Sequence, residues 1–532
     1  MTAAPAVAGP GLARAAMAVS GWNALSRVTG FARVIALGAA VGTTFLGNTY
    51  QSANLVSTVT FELMAAGILS APLVPLFVRL LESGRKAEAE RLAGTLVVLS
   101  LVGLGILALL LAGAGEWVMR ILTSGVGDEA VRADEIRLGR FLLWFFAPQM
   151  LLYAVGAVAT ALLNAQRRFS AAAFAPVANN ILVIATLALF VALRHGQPPS
   201  LRLDLGPRLV LAVGTTLGVV AMTAVPLVGL VRSGVGVRLC LELSSPELRQ
   251  LARDGRWVVL LLGGGQALIA VTLVLSNQVA GGVVAYQVAF TFFLLPFALI
   301  AHPIFTVLHP RLSAHAAADR WADFGDDVAG GVLRVLLLVL PAAAVLGVLG
   351  GRALQLTRFG ALDVEGAALV GRVLAAYALG LAGYAVFQMM ARACMAAGDP
   401  RLPALVGLGV AGTGSLLMVV CSATASVSDR VVVLGLVHSL VVTAGAVILA
   451  VLLGRRLGRP LGGVSDVLGP VAVAAAAGGA ALLGVGVVDA GGRSGAAVDL
   501  VVAGGAASLT VAGALLWLAR AQLGSSPAPE RT

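Results

Sequence analysis

Apolar segments long enough to cross a lipid bilayer recur along this chain from near its first residue to near its last, separated by short polar or Gly- and Pro-containing connections. A helix needs about 20 predominantly apolar residues to span the hydrocarbon core, and we count about fourteen such segments. In lipid, each segment must satisfy its own backbone hydrogen bonds, so the pattern predicts an all-α polytopic membrane protein. The predicted limits are 15–46, 49–80, 90–119, 138–164, 170–194, 208–231, 255–279, 282–309, 329–350, 365–396, 402–424, 430–454, 464–488 and 497–520.

The composition excludes several classes of protein. Apolar residues make up 59% of the 532 residues and charged residues 11%, a balance that no soluble protein of this size tolerates. The net charge of +11 lies mostly in short connections between apolar segments, where it is a topology signal, and no nucleic acid partner is expected. The three cysteines lack metal-ligand or C-x-x-C spacing, so neither a redox centre nor a cofactor is expected. No small-residue cleavage site follows the first segment, which we expect to be retained.

The connections alternate between those with many basic residues and those with few. In membrane proteins, short loops rich in Arg and Lys face the cytoplasm. Both termini are therefore predicted to be cytoplasmic, which agrees with an even number of spans. The richer connections carry Arg79–Arg91, Arg167–Arg168, Arg232–Arg256, Arg311–Arg320, Arg401 and Arg455–Arg459.

The longest of these connections, 232–256, predicts a boundary between two lobes of six helices each, 1–231 and 257–454. Residues 455–532 then form two additional helices and a short tail. Two strings support duplication, because each lies between the fourth and fifth segments of its half: ALLNAQRRFSAAAFAP at 161–176 and ARACMAAGDPRLP at 391–403. Paired bundles around a midplane site are a common plan in transporters.

Two arginines interrupt the first apolar segment, where residues 26–33 read SRVTGFAR. A guanidinium group inside a membrane is costly and usually functional. Arg27 and Arg33 either extend to the cytoplasmic interface along their apolar stems, or face one water-filled cavity if the helix bends at Gly30. The residues alone leave both interpretations open.

Several strings resemble the MurJ/MviN lipid II flippase family in the expected order. The first is SRVTGFARVIALGAAVG, with the family's Ser-Arg, two residues, Gly-Phe, one residue, Arg. The others are GILSAPLVPLF at 67–77, LLNAQRRFSAAAFAPVANNILVI at 162–184, LLPFALIAHPIFTVLHPRLS at 294–313 and the ARACMAAGDPRLP string. The bias toward Ala, Gly, Val, Leu and Arg suggests a high-GC bacterium.

The resemblance implies two six-helix bundles of the multidrug/oligosaccharidyl-lipid/polysaccharide exporter type plus two C-terminal helices. It also implies a cationic cavity for the head group of the cargo, and Arg27 and Arg33 match two of its arginines. A guanidinium binds phosphate oxygens in a bidentate fork and stays charged. This chain departs from the family pattern where further arginines or acids are usual: Asn48, Phe61, Ala66 and Phe290-Thr291.

Glu62 is a carboxylate inside the second apolar segment. It either pairs with Arg27 or Arg33, or is a protonated acid that faces a polar groove. Uncharged polar residues either line the same cavity or join helices: Asn54, Asn179, Asn180, Gln266, Asn277, Gln278, Gln287 and Gln388. The predicted substrate-binding residues are Arg27, Arg33, Glu62, Asn48 and Asn54.

The predicted function is therefore that of a non-enzymatic lipid II flippase of the bacterial inner membrane, acting by alternating access in cell-wall biosynthesis. The expected partners are the lipid-linked peptidoglycan precursor, membrane lipids and cell-wall synthesis proteins. No P-loop accompanies the spans, and the sequence does not select an energy source. Two alternatives stay open: an exporter of another polyprenyl-linked glycan or amphiphile, and a flippase-like scaffold without transport.

Overall fold

The chain is almost entirely α-helical, which confirms the predicted fold class. A computed structural model describes residues 10–65, 73–242, 246–356, 360–461, 464–485 and 492–524, and no strand occurs within these ranges. By packing, the described residues form two compact units, Met1–Val284 with Phe359–Leu362, and Ala285–Arg358 with Asp363–Thr532. The predicted lobe limits at 231 and 257 are not tested by this grouping and stay a prediction.

The helices of the first unit are α1 (Pro10–Val41), α2 (Phe45–Ala65), α3 (Leu73–Glu82), α4 (Lys86–Gly113), α5 (Gly115–Leu122), α6 (Glu129–Phe146), α7 (Gln149–Ala165), α8 (Phe169–Leu193), α9 (Leu205–Val231) and α10 (Pro246–Ser276). Those that follow are α11 (Gly282–Pro296), a π turn (Phe297–Ala301), α12 (His302–Ala317), α13 (Trp321–Leu356), α14 (Val364–Ala378), α15 (Leu381–Ala396), α16 (Arg401–Thr424), a 3₁₀ turn (Val427–Asp429), α17 (Arg430–Arg456), α18 (Val464–Gly484) and α19 (Gly492–Gly524).

Twelve stretches of the described residues are long and apolar enough to cross a membrane, and α14 with α15, bent by 48°, forms a thirteenth broken span. These thirteen overlap thirteen of the predicted segments. The remaining one, 49–80, is found as α2 and α3, with residues 66–72 outside the described residues. Segment 49–80 is not among the thirteen spans, because α2 carries a row of polar side chains and α3 has only ten residues.

An apolar cluster in the first unit joins α1, α2, α6, α8 and α9. Val41, Phe146 and Phe190 are fully buried there, and they belong to one continuous core. Other apolar side chains point outward, such as Leu109 of α4, which is 71% exposed. Large exposed apolar side chains on membrane-length helices suit a lipid environment, where they carry no hydration penalty.

In the second unit, aromatic rings and His438 form the centre of a helical bundle. The ring centroids of Phe297 and Tyr384 are 5.0 Å apart, and those of Tyr377 and His438 are 5.1 Å apart. The two additional C-terminal helices, α18 and α19, pack on α13 through a small cluster that includes Leu349, Ala481 and Ala503.

The connection after α9 is fastened to the start of α4. The backbone N–H of Gly236 donates to Glu90 Oε1 at 3.0 Å, and Arg238 N–H donates to the Glu90 carbonyl at 3.1 Å. The Arg238 guanidinium also lies 2.9 Å from the same carboxylate. A Cβ at Gly94 would be 1.7 Å from the Arg238 carbonyl oxygen, so only glycine allows this close approach.

Candidate substrate-binding site

The two arginines of the first apolar segment lie on an uninterrupted α1. Arg27 is exposed and Arg33 is partly buried. Neither side chain makes a hydrogen bond or an ion pair with any other residue that the structure describes. Six residues place them about 120° apart around a regular helix. The helix assignment is continuous through Gly30.

A contact with α8 holds the part of α1 that carries the arginines. Asn180 Nδ2 donates to the Ser26 carbonyl oxygen at 3.3 Å and to Thr29 Oγ1 at 3.2 Å. A Cβ at Gly30 would lie 3.5 Å from the same amide nitrogen, so Asn180 packs directly over this turn of the helix. The Trp22 and Phe174 rings meet edge to face, 4.9 Å apart, one to two turns earlier. Asn180 therefore positions the helical turn between the two arginines.

Arg33 faces two tyrosines of its own unit. It is close enough to act electrostatically on the hydroxyl groups of Tyr50 and Tyr153. Tyr50 is buried, and its hydroxyl lies 2.7 Å from Thr215 Oγ1. Tyr153 is also within electrostatic reach of Glu62. The Tyr153 hydroxyl is therefore within electrostatic reach of both the guanidinium on α1 and the carboxyl group on α2.

Glu62 lies near the end of α2, on the face that also carries Asn54 and Thr58, because residues four apart share one face of a helix. Its side chain is exposed on one side, and Oε2 accepts a short hydrogen bond from Nε2 of Gln266 on α10. Gln266 is buried, and its Oε1 has no hydrogen-bond partner among the described residues. Among the described residues no ion pair joins Glu62 to Arg27 or Arg33, so the first of its two alternatives, pairing with an arginine, is not seen.

Asn48 and Asn54, the other two predicted residues, have different environments. Asn48 is fully buried; its Nδ2 donates to the Val279 carbonyl at 2.8 Å, and its Oδ1 accepts from Val283 N–H at 3.0 Å. It thereby fixes the turn between α10 and α11, where Gly281 has a φ of 69°. Asn54 is buried, and no side-chain hydrogen bond joins it to another described residue. Binding of cargo by either residue stays a prediction.

The positions where the family usually carries arginine are filled by apolar or small polar side chains. Phe61 packs on Tyr153, with ring centroids 5.3 Å apart, and on the apolar cluster of Leu104 and Ala108. Thr291 donates its hydroxyl to the Gln287 carbonyl in its own helix. Ala66 lies outside the described residues.

Sequence reasoning missed one buried carboxyl group. Glu135 belongs to the acidic run at 128–135 and is not among the predicted site residues, yet it is fully buried, and its Oε1 accepts from Thr49 Oγ1 at 3.1 Å. Its Oε2 has no hydrogen-bond partner within the described residues. The helical period was the available signal, because Glu135 lies three and seven residues before the buried Leu138 and Leu142.

The sequence of this chain is similar to those of known lipid II flippases. Residues 37–500 match the family model described as lipid II flippase MurJ. The chain is 26% identical over 391 residues to a probable lipid II flippase MurJ of Rhizobium tropici, covering 72% of this chain and 71% of that protein. It is 27% identical over 414 residues to the lipid II flippase MurJ of Burkholderia cenocepacia, covering 75% and 76%.

Solved structures share the fold. A lipid II flippase MurJ in an inward closed conformation aligns with a TM-score of 0.76 at 16% identity, covering 95% of this chain and 99% of that one. An inward-facing multidrug transporter of the MATE family aligns with a TM-score of 0.66 at 12% identity, covering 82% and 94%. The family match begins after Arg33, so the role of the two arginines depends on their own chemistry and surroundings.

Proposed function

Since this chain belongs to the lipid II flippase MurJ family, we propose that it moves lipid II, a lipid-linked peptidoglycan precursor, from the inner to the outer leaflet by alternating access. It is a multi-pass membrane protein of a bacterial family. A flippase makes and breaks no covalent bond, and we propose that the chain has no enzymatic step of its own.

The observation that carries the cargo assignment is the state of the two arginines on α1. Arg27 and Arg33 are permanently charged, and their donors form no hydrogen bond or ion pair with other described residues. Guanidinium groups bind diphosphate oxygens in charge-assisted pairs. We assign the diphosphate of the cargo to these two side chains, and polar groups of its sugar to Asn54 and Glu62 on the neighbouring α2.

Growth rescue tests this assignment. Hydrogen bonds to charged groups contribute about 1.5–3 kcal/mol each, so losing one per arginine weakens cargo binding by at least about a hundredfold. We expect the wild-type chain to restore growth to cells depleted of their essential lipid II flippase, and the Arg27→Ala, Arg33→Ala double variant to fail at equal membrane abundance. The Lys substitutions keep the charge without the fork and should rescue partially.

A matched control is the Arg202→Ala, Arg372→Ala double variant. Both arginines are exposed and ion-paired, to Asp134 and Asp429 respectively. Exposed ion pairs contribute about 0–1 kcal/mol, so this variant should rescue growth like the wild type. Equal rescue by the Arg27, Arg33 variant would refute the arginine mechanism. A well-expressed wild type without rescue would favour another polyprenyl-linked or amphiphilic cargo, or a scaffold.

We also propose that the protein resides in the inner (cytoplasmic) membrane with both termini in the cytoplasm, and that cell-wall synthesis proteins are its partners. The orientation is supported by the basic connections. It can be tested with cysteines at two exposed positions, Ser83→Cys and Ser200→Cys, in a chain whose three native cysteines are replaced by serine. A membrane-impermeant maleimide should label only the Ser200→Cys protein from outside the inner membrane, and the reverse pattern would invert the topology.

A further inference from the structure

The carboxyl group of Glu62 and the amide of Gln266 form an incomplete pair. The amide nitrogen of Gln266 donates to Glu62, while the amide oxygen, buried with the rest of the side chain at 7% exposure, has no donor among the described residues. A buried acceptor without a donor costs free energy. A primary amide and a protonated carboxylic acid can satisfy each other completely, because each then offers one donor and one acceptor.

We propose that Glu62 and Gln266 form a proton-binding site in the membrane part of the first unit. On proton uptake, the Glu62 O–H donates to Gln266 Oε1, while Gln266 Nε2 continues to donate to the other carboxyl oxygen. The proton comes from a hydronium ion at the exposed side of Glu62: one O–H bond of hydronium breaks as the carboxyl O–H bond forms, water is left, and release is the reverse. The further claim that transport depends on this proton rests on the proposed function, the movement of lipid II.

The charged groups near Glu62 are consistent with a site in which the carboxyl group hydrogen-bonds to the neutral amide of Gln266 and forms no ion pair. The helices that pack against α2 are α1, α4, α6, α7 and α10. Among the described residues, Tyr153 of α7 has a hydroxyl within electrostatic reach of Glu62, and Arg33 of α1 acts on the same hydroxyl. In α6, Glu135 lies beside Thr49, more than three turns from Glu62 along α2.

Within the described side chains of the two remaining helices, α4 and α10, no charge pairs with Glu62. The charged residues of α4 lie in its first two turns, where Glu90 pairs with Lys86 and Arg238. The described side chains of α10, residue 257 and residues 259–276, carry no charge. Since no described side chain supplies a positive charge to Glu62, we infer that a proton neutralises it.

The site lies where it can control helix movement. Gln266 follows three consecutive glycines, Gly263, Gly264 and Gly265, which leave the α10 backbone adaptable. A Cβ at Gly263 would lie 3.7 Å from Leu63, and one at Gly265 would meet nothing within 4 Å. With the proton bound, two hydrogen bonds hold α10 to α2 at this point; without it, one remains. Proton occupancy thus sets how firmly the adaptable part of α10 is attached.

Infrared difference spectroscopy on the full-length protein in lipid vesicles tests proton binding without transport. Acidification of the wild type should produce the C=O stretching band of a protonated carboxyl group. Glu62→Gln, which keeps an amide pair with Gln266 but cannot titrate, should lose one component of this band, and two controls should keep that component. These are Glu135→Gln, which removes a fully buried carboxyl group, and Glu365→Gln, which removes an exposed one.

Lipid II translocation in the same vesicles tests the coupling. The wild-type rate should vary with pH by up to about tenfold per unit, the limit for one proton, whereas the Glu62→Gln rate should be flat. Gln266→Leu should keep the band but shift its frequency, because the acceptor is gone. An unchanged band in well-folded Glu62→Gln overturns the proton site. A titrating band in a protein that moves no lipid II at any pH overturns the proposed function and leaves the site intact.

Discussion

Substitution of Asn48 by alanine should destabilise the folded protein without a specific effect on cargo. The change removes two buried hydrogen bonds, and it leaves the Val279 carbonyl and the Val283 N–H without the partner they have at 2.8 and 3.0 Å. An unsatisfied buried backbone group costs about 1–3 kcal/mol, so the expected loss is about 2–6 kcal/mol. That is a large part of the about 5–15 kcal/mol by which folded proteins are stable.

Asn54→Ala is the matched control for the unfolding midpoint without lipid II, because Asn54 is a buried asparagine of the same helix without a side-chain hydrogen bond to another described residue. Thermal unfolding of both purified variants in one detergent, with and without lipid II, gives the comparison. We expect Asn48→Ala to unfold at a clearly lower temperature and to gain the same stabilisation from lipid II as the wild type. An unchanged midpoint for Asn48→Ala together with lost lipid II stabilisation would refute the structural interpretation and make Asn48 a cargo residue.

Three further substitutions have defined expectations. Gly94→Ala places a Cβ 1.7 Å from the Arg238 carbonyl oxygen and should release the connection after α9, which faster proteolytic cleavage there would show. Asn180→Leu removes the hydrogen bond to Thr29; it should weaken lipid II binding several-fold while the unfolding midpoint changes little, because the turn that carries the arginines loses its orientation. Glu135→Gln retains an acceptor for Thr49 and should change the unfolding free energy by less than about 1 kcal/mol, whereas a large loss would mean that the carboxyl group has a partner of its own.

The fold could be predicted from the sequence because membrane spans are long and locally encoded. Thirteen predicted segments overlap spans of the structure since about 20 apolar residues in a row have few alternatives in lipid. The second segment was harder, because polar residues such as Asn54, Thr58 and Glu62 dilute its hydropathy. Two of these residues, Asn54 and Glu62, also belong to the candidate site.

The partners of polar side chains could not be predicted, since they depend on contacts between distant segments. Glu62 meets Gln266, 204 residues away, and Asn48 meets a turn 231 residues away. The composition of the chain does not indicate which of its several arginines and amides is the partner of a given polar side chain such as Glu62. Glu135 shows a different limit: an acidic run is typical of a solvated surface, whereas the helical period with Leu138 places this carboxyl group on the buried face.

Together, the two arginines and the proton site predict that cargo binding and proton binding depend on each other. The Tyr153 hydroxyl is within electrostatic reach of both Glu62 and Arg33, and we predict that a diphosphate held by Arg33 comes within electrostatic reach of Glu62. An ionised Glu62 would repel that diphosphate, whereas a protonated one would not. Cargo binding should therefore promote proton uptake, and by reciprocity a proton on Glu62 should strengthen cargo binding by the same factor.

Addition of lipid II to the wild type in weakly buffered vesicles should raise the pH of the medium, by at most one proton per protein. Glu62→Gln should bind lipid II without this change, because its amide is neutral at every pH. The Arg27→Ala, Arg33→Ala variant should show neither binding nor uptake. Cargo binding by the wild type with no proton uptake, over the range where the Glu62 carboxyl band titrates, would show that the two groups are too far apart to interact and that the proton has another role.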